Sequence, residues 1–233
     1  RIASRSILSL LLQPAAYRAR TITTSSSQAM SSIFGYSSVE EPSFVVAVKT
    51  DVYEVRAYGP QIRASVTLEG PMDKNMGPGF RAVAGYIFGG NTARGDGAES
   101  QKVAMTAPVT MTTSSTSKVA MTAPVTMQTS DKQTTMSFIM PSKYKSIEDL
   151  PVPKNAKVTL TTVPPVKLAV IRFSWGFNET RAKHFEHKLR EAAAKDKLLL
   201  NADPDAVLRL AYNPPWCLPW CKRNEVAIPL ADQ

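Results

Sequence analysis

The apolar residues of this chain fall into a series of short period-two segments interrupted by only two stretches of helical period, and that order limits the folds open to it. Gln61 to Leu68 alternates, with Ile62, Ala64, Val66 and Leu68 on one side and Gln61, Arg63, Ser65 and Thr67 on the other, as a half-buried strand does. Lys157 to Val163 and Val166 to Phe173 alternate as well. Phe44 to Val48, Val52 to Tyr58, Thr134 to Met140, Val207 to Ala211 and Glu225 to Leu230 also read as strands. The first helical stretch is Gly79 to Phe88, where Phe80, Val83, Ala84, Ile87 and Phe88 recur at i, i+3, i+4, i+7 and i+8. Gly89-Gly90-Asn91 stops it. The second runs from Asn178, an N-cap residue, to about Leu199, with Ala182, Phe185, Leu189, Ala192 and Ala193 as its stripe. Strands and helices are segregated rather than strictly alternating, so the class is α+β with mainly antiparallel pairing. The same run of elements occurs twice, and a twisted sheet curled into a barrel with both helices laid against it buries every stripe.

One ten-residue block is duplicated. Lys102 to Met111 and Lys118 to Met127 both read KVAMTAPVTM, separated by Thr112 to Ser117. Pro108 and Pro124 cannot donate to a strand ladder, so each copy suits an edge strand or the mouth of a loop. One copy suffices for the fold; the other is expected to loop out or extend a hairpin, an insertion that costs little closure entropy.

The 233 residues carry a formal net charge of +9. Arg1, Arg5, Arg18 and Arg20 all precede the first acid, Glu40. The remainder is therefore only mildly basic, and no Lys/Arg run marks a nucleic-acid track. No apolar run approaches the roughly 20 residues that span a bilayer. The acid-free, Arg- and Ser-rich residues 1–37 have the composition of an organellar presequence, with chloroplast favoured over mitochondrion. The domain proper is residues 38–233. Met30 offers an alternative start that would leave a cytoplasmic form.

Catalytic chemistry is sparse. The two histidines, His184 and His187, lie three apart on the second helix, away from its apolar stripe and without a carboxylate placed to complete a metal site. Cys217 and Cys221 have neither the spacing of a redox pair nor a second pair to build a zinc site, and read as free thiols. No nucleophile elbow and no phosphate-cradling glycine loop is present. The chain is therefore expected to be a binding protein rather than an enzyme, with no catalytic and no metal residues. The stretch Tyr212 to Cys221, YNPPWCLPWC, stands out for two indoles and three prolines in ten residues, followed by Lys222 and Arg223. Prolines stiffen such a loop and lower the entropy lost on binding. Its tryptophans either close the barrel end as core or form a rigid wall for a flat apolar ligand bearing carboxylates.

KVAMTAPVTM, MSFIMPSKY (Met136 to Tyr144), VYEVRAYGP and AYNPPWCLPWCKRNEV (Ala211 to Val226) together resemble the SOUL/haem-binding protein family. The likeness is nearest to plant and green-algal members with tandem AMTAPV segments. The resemblance implies a distorted antiparallel β-barrel of two similar halves flanked by two helices. It implies reversible binding of haem or another tetrapyrrole, as carrier or buffer, in a groove between the first helix and the loop joining the last two strands. Carried onto this sequence, one wall is Phe80, Val83, Ala84, Ile87 and Phe88. The other is Pro215, Trp216, Leu218 and Pro219, with Lys222 or Arg223 pairing a propionate. Some relatives are credited with an axial histidine in the N-terminal half; here no histidine precedes His184. The expectation is binding without a strong axial ligand. The alternatives are a catalyst or accessory factor in tetrapyrrole or chlorophyll turnover, or a subunit docked on a larger assembly.

Overall fold

The computed structural model describes residues 39–95, 99–116, 131–214 and 216–231. The strands are β1 (Phe44–Lys49), β2 (Glu54–Tyr58), β3 (Gln61–Glu69), β4 (Asn91–Thr92), β5 (Val109–Thr116), β6 (Asp131–Ile139), β7 (Val152–Pro153), β8 (Val158–Val163), β9 (Val166–Phe173), β10 (Leu208–Ala211) and β11 (Asn224–Pro229). The helices are α1 (Met72–Ile87) and α2 (Glu179–Lys195). Nine strands form one curled antiparallel sheet in the order β1-β2-β9-β11-β10-β5-β6-β3-β8, and β4 pairs with β7 apart from it. The fold is the expected α+β distorted half-barrel with two helices.

The sheet order exposes the two halves. β3-α1-β5-β6 and β9-α2-β10-β11 have the same sequence of elements, and they lie side by side as β9-β11-β10 and β5-β6-β3. They meet where Leu210 pairs with Thr110, Arg209 with Met111 and Ala211 with Val109. A pseudo-twofold axis beside Thr110 and Leu210 therefore makes Arg209 the counterpart of Val109. The strand preceding each half is exchanged: β2 pairs with β9, and β8 pairs with β3.

Paired residues point to the same face, so the register sorts the core. Both helices cover one face. Under α1, Val83, Tyr86 and Ile87 pack with Ala64, Val66, Met111, Met136 and Phe138. Under α2, Ala182, Leu189 and Ala193 pack with Val55, Ala169, Ile171, Val226 and Ile228. The other face holds a smaller cluster of Tyr58, Leu168, Val170, Leu210, Tyr212 and Ala227.

α1 begins at Met72, earlier than its apolar periodicity indicates. Met72 is fully buried, and the Asn75 side-chain amide donates to the carbonyls of Glu69 and Gly70 at 2.9 and 3.1 Å. These tertiary contacts outweigh Gly77 and Pro78, whose intrinsic preference is against helix. Gly79 lies close to the sheet; a Cβ there would sit 3.3 Å from Met136. The helix ends as expected: Gly89 has φ +116, and the Gly90 amide donates to the Gly85 carbonyl at 2.8 Å. α2 is capped by Asn178, whose Oδ1 accepts from the Arg181 amide at 2.8 Å.

The first copy of the duplicated block occupies the fold. Val103, Thr106 and Ala107 are buried, the Ala107–Pro108 peptide is cis, and β5 starts at Val109. Of the two settings expected for its proline, the loop mouth is the one found, because β5 is a central strand between β10 and β6. The second copy lies outside the described residues, as do residues 1–37 and Pro215.

Candidate ligand-binding site

The two expected walls approach the same end of the sheet. Ala211, the last residue of β10, pairs with Val109, which pairs with Phe138 of β6. Phe138 meets the ring of Phe80 at 5.4 Å between centroids. The loop 212–223 therefore springs from a point two strand spacings, roughly 10 Å, from the residue under Phe80.

Within α1 the apolar stripe divides. Val83 and Ile87 have no exposure and Ala84 only 6%. These three are taken up by the core and support the wall from behind. Phe80 is 37% and Phe88 61% exposed. Eight residues of helix separate them, about 12 Å, a length comparable to a flat macrocycle.

On the loop, Trp216 is 68% exposed, Leu218 half-buried and Pro219 exposed, while Cys217 is buried. Neither cysteine is in a disulfide. Trp220, 58% exposed, meets Trp175 edge-on at 6.3 Å. Trp175 is a residue of this exposed aromatic surface that sequence reasoning passed over. It lies between β9 and α2, is 52% exposed, and holds φ +77, a conformation that bulky side chains seldom adopt. Two hydrogen bonds fix it there: its amide donates to the Pro219 carbonyl at 2.8 Å, and the Asn224 side chain donates to its carbonyl at 2.9 Å. All three tryptophans of the chain are thus half or more exposed, and Trp175 and Trp220 are clamped to each other. Soluble domains rarely leave so much large apolar surface contiguous without a use for it.

Lys222 is half-buried at the end of the loop. Arg223 is committed elsewhere. Its Nε donates to Glu225 and its Nη1 to Glu41, both at 2.9 Å, and its guanidinium lies 3.7 Å from the Tyr212 ring centre. Of the two residues expected to reach a propionate, Arg223 would have to give up these partners.

Glu225 is the centre of a buried network that the sequence reading did not single out. It is fully buried on the face away from the helices. It accepts from Arg56 at 2.8 and 3.2 Å, from Arg223, and from the Tyr212 hydroxyl at 2.8 Å. Burial alone lowers the affinity of Arg56 for its proton, but the Glu225 carboxylate outweighs that and holds it above the ordinary arginine value. Burial, then Glu225, pushes the Tyr212 phenol up. The network ties β2, β11 and the root of the loop together, so the indoles are carried on a rigid base.

His184 and His187 are exposed on α2, as expected. Among the described residues no cluster of three His, Cys, Asp or Glu side chains could hold a metal ion, and no helix is long and apolar enough to cross a membrane.

Fold and surface define a class: a curled antiparallel sheet with two helices on one face and an exposed aromatic loop rooted beside one of them. The chain belongs to the SOUL family, whose model, described as SOUL heme-binding protein, matches residues 39–229. Among solved structures, the fold is similar to the EcmrR C-terminal domain. That likeness has 9% identity and a TM-score of 0.52, covering 78% of this chain and 99% of that one. It is also similar to an uncharacterized conserved protein from Listeria innocua, with 12% identity and a TM-score of 0.52 over 79% of this chain and 95% of that one. At these identities the likeness concerns the fold alone. The comparison with curated proteins finds no match.

Proposed function

We propose that this protein binds haem or another tetrapyrrole reversibly, as a carrier or buffer. The ligand lies on the surface bounded by Phe80 and Phe88 of α1 and by Trp216, Leu218, Pro219 and Trp220 of the loop, with Trp175 behind them. The observation that carries this reading is the exposure of every tryptophan in the chain, two of them on one stiff loop at the Phe138 end of the sheet. Family membership supports the ligand class. Lys222 or Arg223 pairs a propionate. With no histidine on either wall, affinity comes from apolar contact and from that charge, not from iron ligation. Residues 1–37 would deliver the domain to an organelle, the chloroplast in the first instance.

The test is an absorbance and tryptophan-quenching titration with haem and with metal-free protoporphyrin. The two should bind with Kd values within about threefold of each other, and Trp216→Ala should weaken both by roughly tenfold, about 1.4 kcal/mol. Pigment recovered from the complex should be chemically unchanged. Haem binding a hundredfold tighter than protoporphyrin would show that a ligand to iron is at work, and product formation would show turnover.

A further inference from the structure

A cleft of about 430 Å³ lies against the other helix, α2. Its wall is one side of α2, with Glu179, Lys183, Glu186 and Arg190; its floor is Arg209 of β10 and Thr113 of β5. The volume falls in the range that accommodates a small molecule. Arg209 is the unusual element. It is 5% exposed, yet its Nε and Nη1 have no hydrogen-bond partner. Its Nη2 approaches Glu186 Oε2 only at 3.7 Å, beyond hydrogen-bonding distance. The Thr113 hydroxyl, on the same floor, is also buried without a partner. Leaving such donors unmet is costly, and more so for a charged group. A guanidinium kept in this state points to an acceptor that arrives from outside.

The unmet donors, set among paired charges, define that acceptor. Lys183 is neutralised by Glu179 at 3.0 Å. Glu186 bonds Arg190 at 3.2 Å and is the nearest carboxylate to Arg209 as well, so one carboxylate serves two arginines. Asp205 also lines the cleft, so three carboxylates balance three cations; what stands apart is the Arg209 guanidinium, a planar donor group suited to oxyanions whose Nε and Nη1 are unmet. Arg209 is also the pseudo-twofold counterpart of Val109, which lies at the apolar end beside the tryptophan loop. The fold thus places this polar cleft at the position equivalent to the apolar surface beside α1.

We propose that this cleft binds a small molecule through an oxyanion, a carboxylate or a phosphate, held by Arg209 and the Thr113 hydroxyl. The site is separate from the tetrapyrrole surface and does not depend on it.

The experiment uses the full chain, titrated at fixed ionic strength with inorganic phosphate in one arm and succinate in the other, with chloride as control. The readout is the arginine Nε–H resonance that Arg209→Lys removes, together with the melting temperature. We expect one of the two anions to shift that resonance saturably. Thr113→Val, which keeps the side chain's shape, should weaken the response at least tenfold while the protein stays folded. Arg209→Lys keeps the charge but loses the planar donors, and should abolish the anion-dependent rise in melting temperature. Phosphate alone responding identifies a phosphate-bearing ligand, and succinate alone a carboxylate-bearing one. If neither anion gives a saturable shift, or if Thr113→Val binds as well as the wild type, the proposal is overturned. Haem titration of the same variants should be unchanged, which separates this outcome from a failure of the tetrapyrrole reading.

Discussion

The two halves share a plan and spend their polar residues differently. At the first half's position Ser137 a hydroxyl meets Ser65 at 2.8 Å, a small neutral pair. By the register of the two hairpins, the equivalent position in the second half is Glu225, with Arg56, Arg223 and Tyr212 around it. α1 buries Met72, Val83, Tyr86 and Ile87, whereas α2 buries Ala182, Leu189 and Ala193. The small residues of α2 fill less space, and its flank carries the charged cleft. The difference teaches that one half is built on volume and the other on charge, and each claim can be broken separately.

The sharpest break is at the charge centre. Glu225→Leu takes from the buried Arg56 and the half-buried Arg223 the carboxylate they share, leaving each only its outer partner, Glu54 or Glu41, and should cost about 3 kcal/mol in urea unfolding. Ser137→Ala, at the equivalent place, should cost no more than about 1 kcal/mol. Equal losses at the two positions would erase the contrast. On the volume side, Ile87→Ala removes a fully buried side chain and should cost about 2–4 kcal/mol.

Alkaline pH sharpens the comparison further. Burial is the main cause that raises the phenols of Tyr58 and Tyr212, and it pushes Tyr86 up to about 12. A raised folded value stabilises the protein fully below the unfolded value, near 10. That contribution is lost as the pH climbs through the folded values. Stability should therefore be flat to about pH 10 and then fall, by about 1.4 kcal/mol per pH unit for each such phenol. Tyr212→Phe should make the decline shallower than in the wild type, measured as melting temperature between pH 8 and 12.

The smallest effect on stability is expected at the aromatic surface. Trp216→Ala should change it by less than about 0.5 kcal/mol, since most of the indole is already in water. A loss above 2 kcal/mol would mean that the indole serves the core and not a ligand.

Much of this architecture was legible from local pattern. The alternation from Gln61 to Leu68 marks β3, and the stripe Ala182, Phe185, Leu189 marks the buried side of α2, because period depends on near neighbours. The repeated order of elements revealed two halves. What was not legible depends on distant partners. Met72 starts α1 only because the sheet gives it a buried seat. Glu225 and Arg209 read as ordinary polar residues in strands until the register shows which lies on which face. Trp175 sits in a short Ser-Trp-Gly loop whose sequence says nothing of the Pro219 carbonyl that holds it. At the candidate site, the resemblance pointed to α1 and the last loop, and the placement of Phe80 and Phe88 outside and Val83 and Ile87 inside needed the coordinates.

The exchange of β2 and β8 between the halves bears on how the molecule comes into being. Glu54 waits for Val170, and Gln61 for Val163, more than 100 residues along the chain. Contacts so far apart must be closed before they reward the chain, which makes assembly slow. On the ribosome, β2 can meet β1 and β3 can meet β6 early, but the other edge of each stays open until β9 and β8 have been synthesised. Neither half can therefore be completed first and stored, and a nascent chain halted before residue 158 would present two orphaned strand edges to whatever chaperone is at hand.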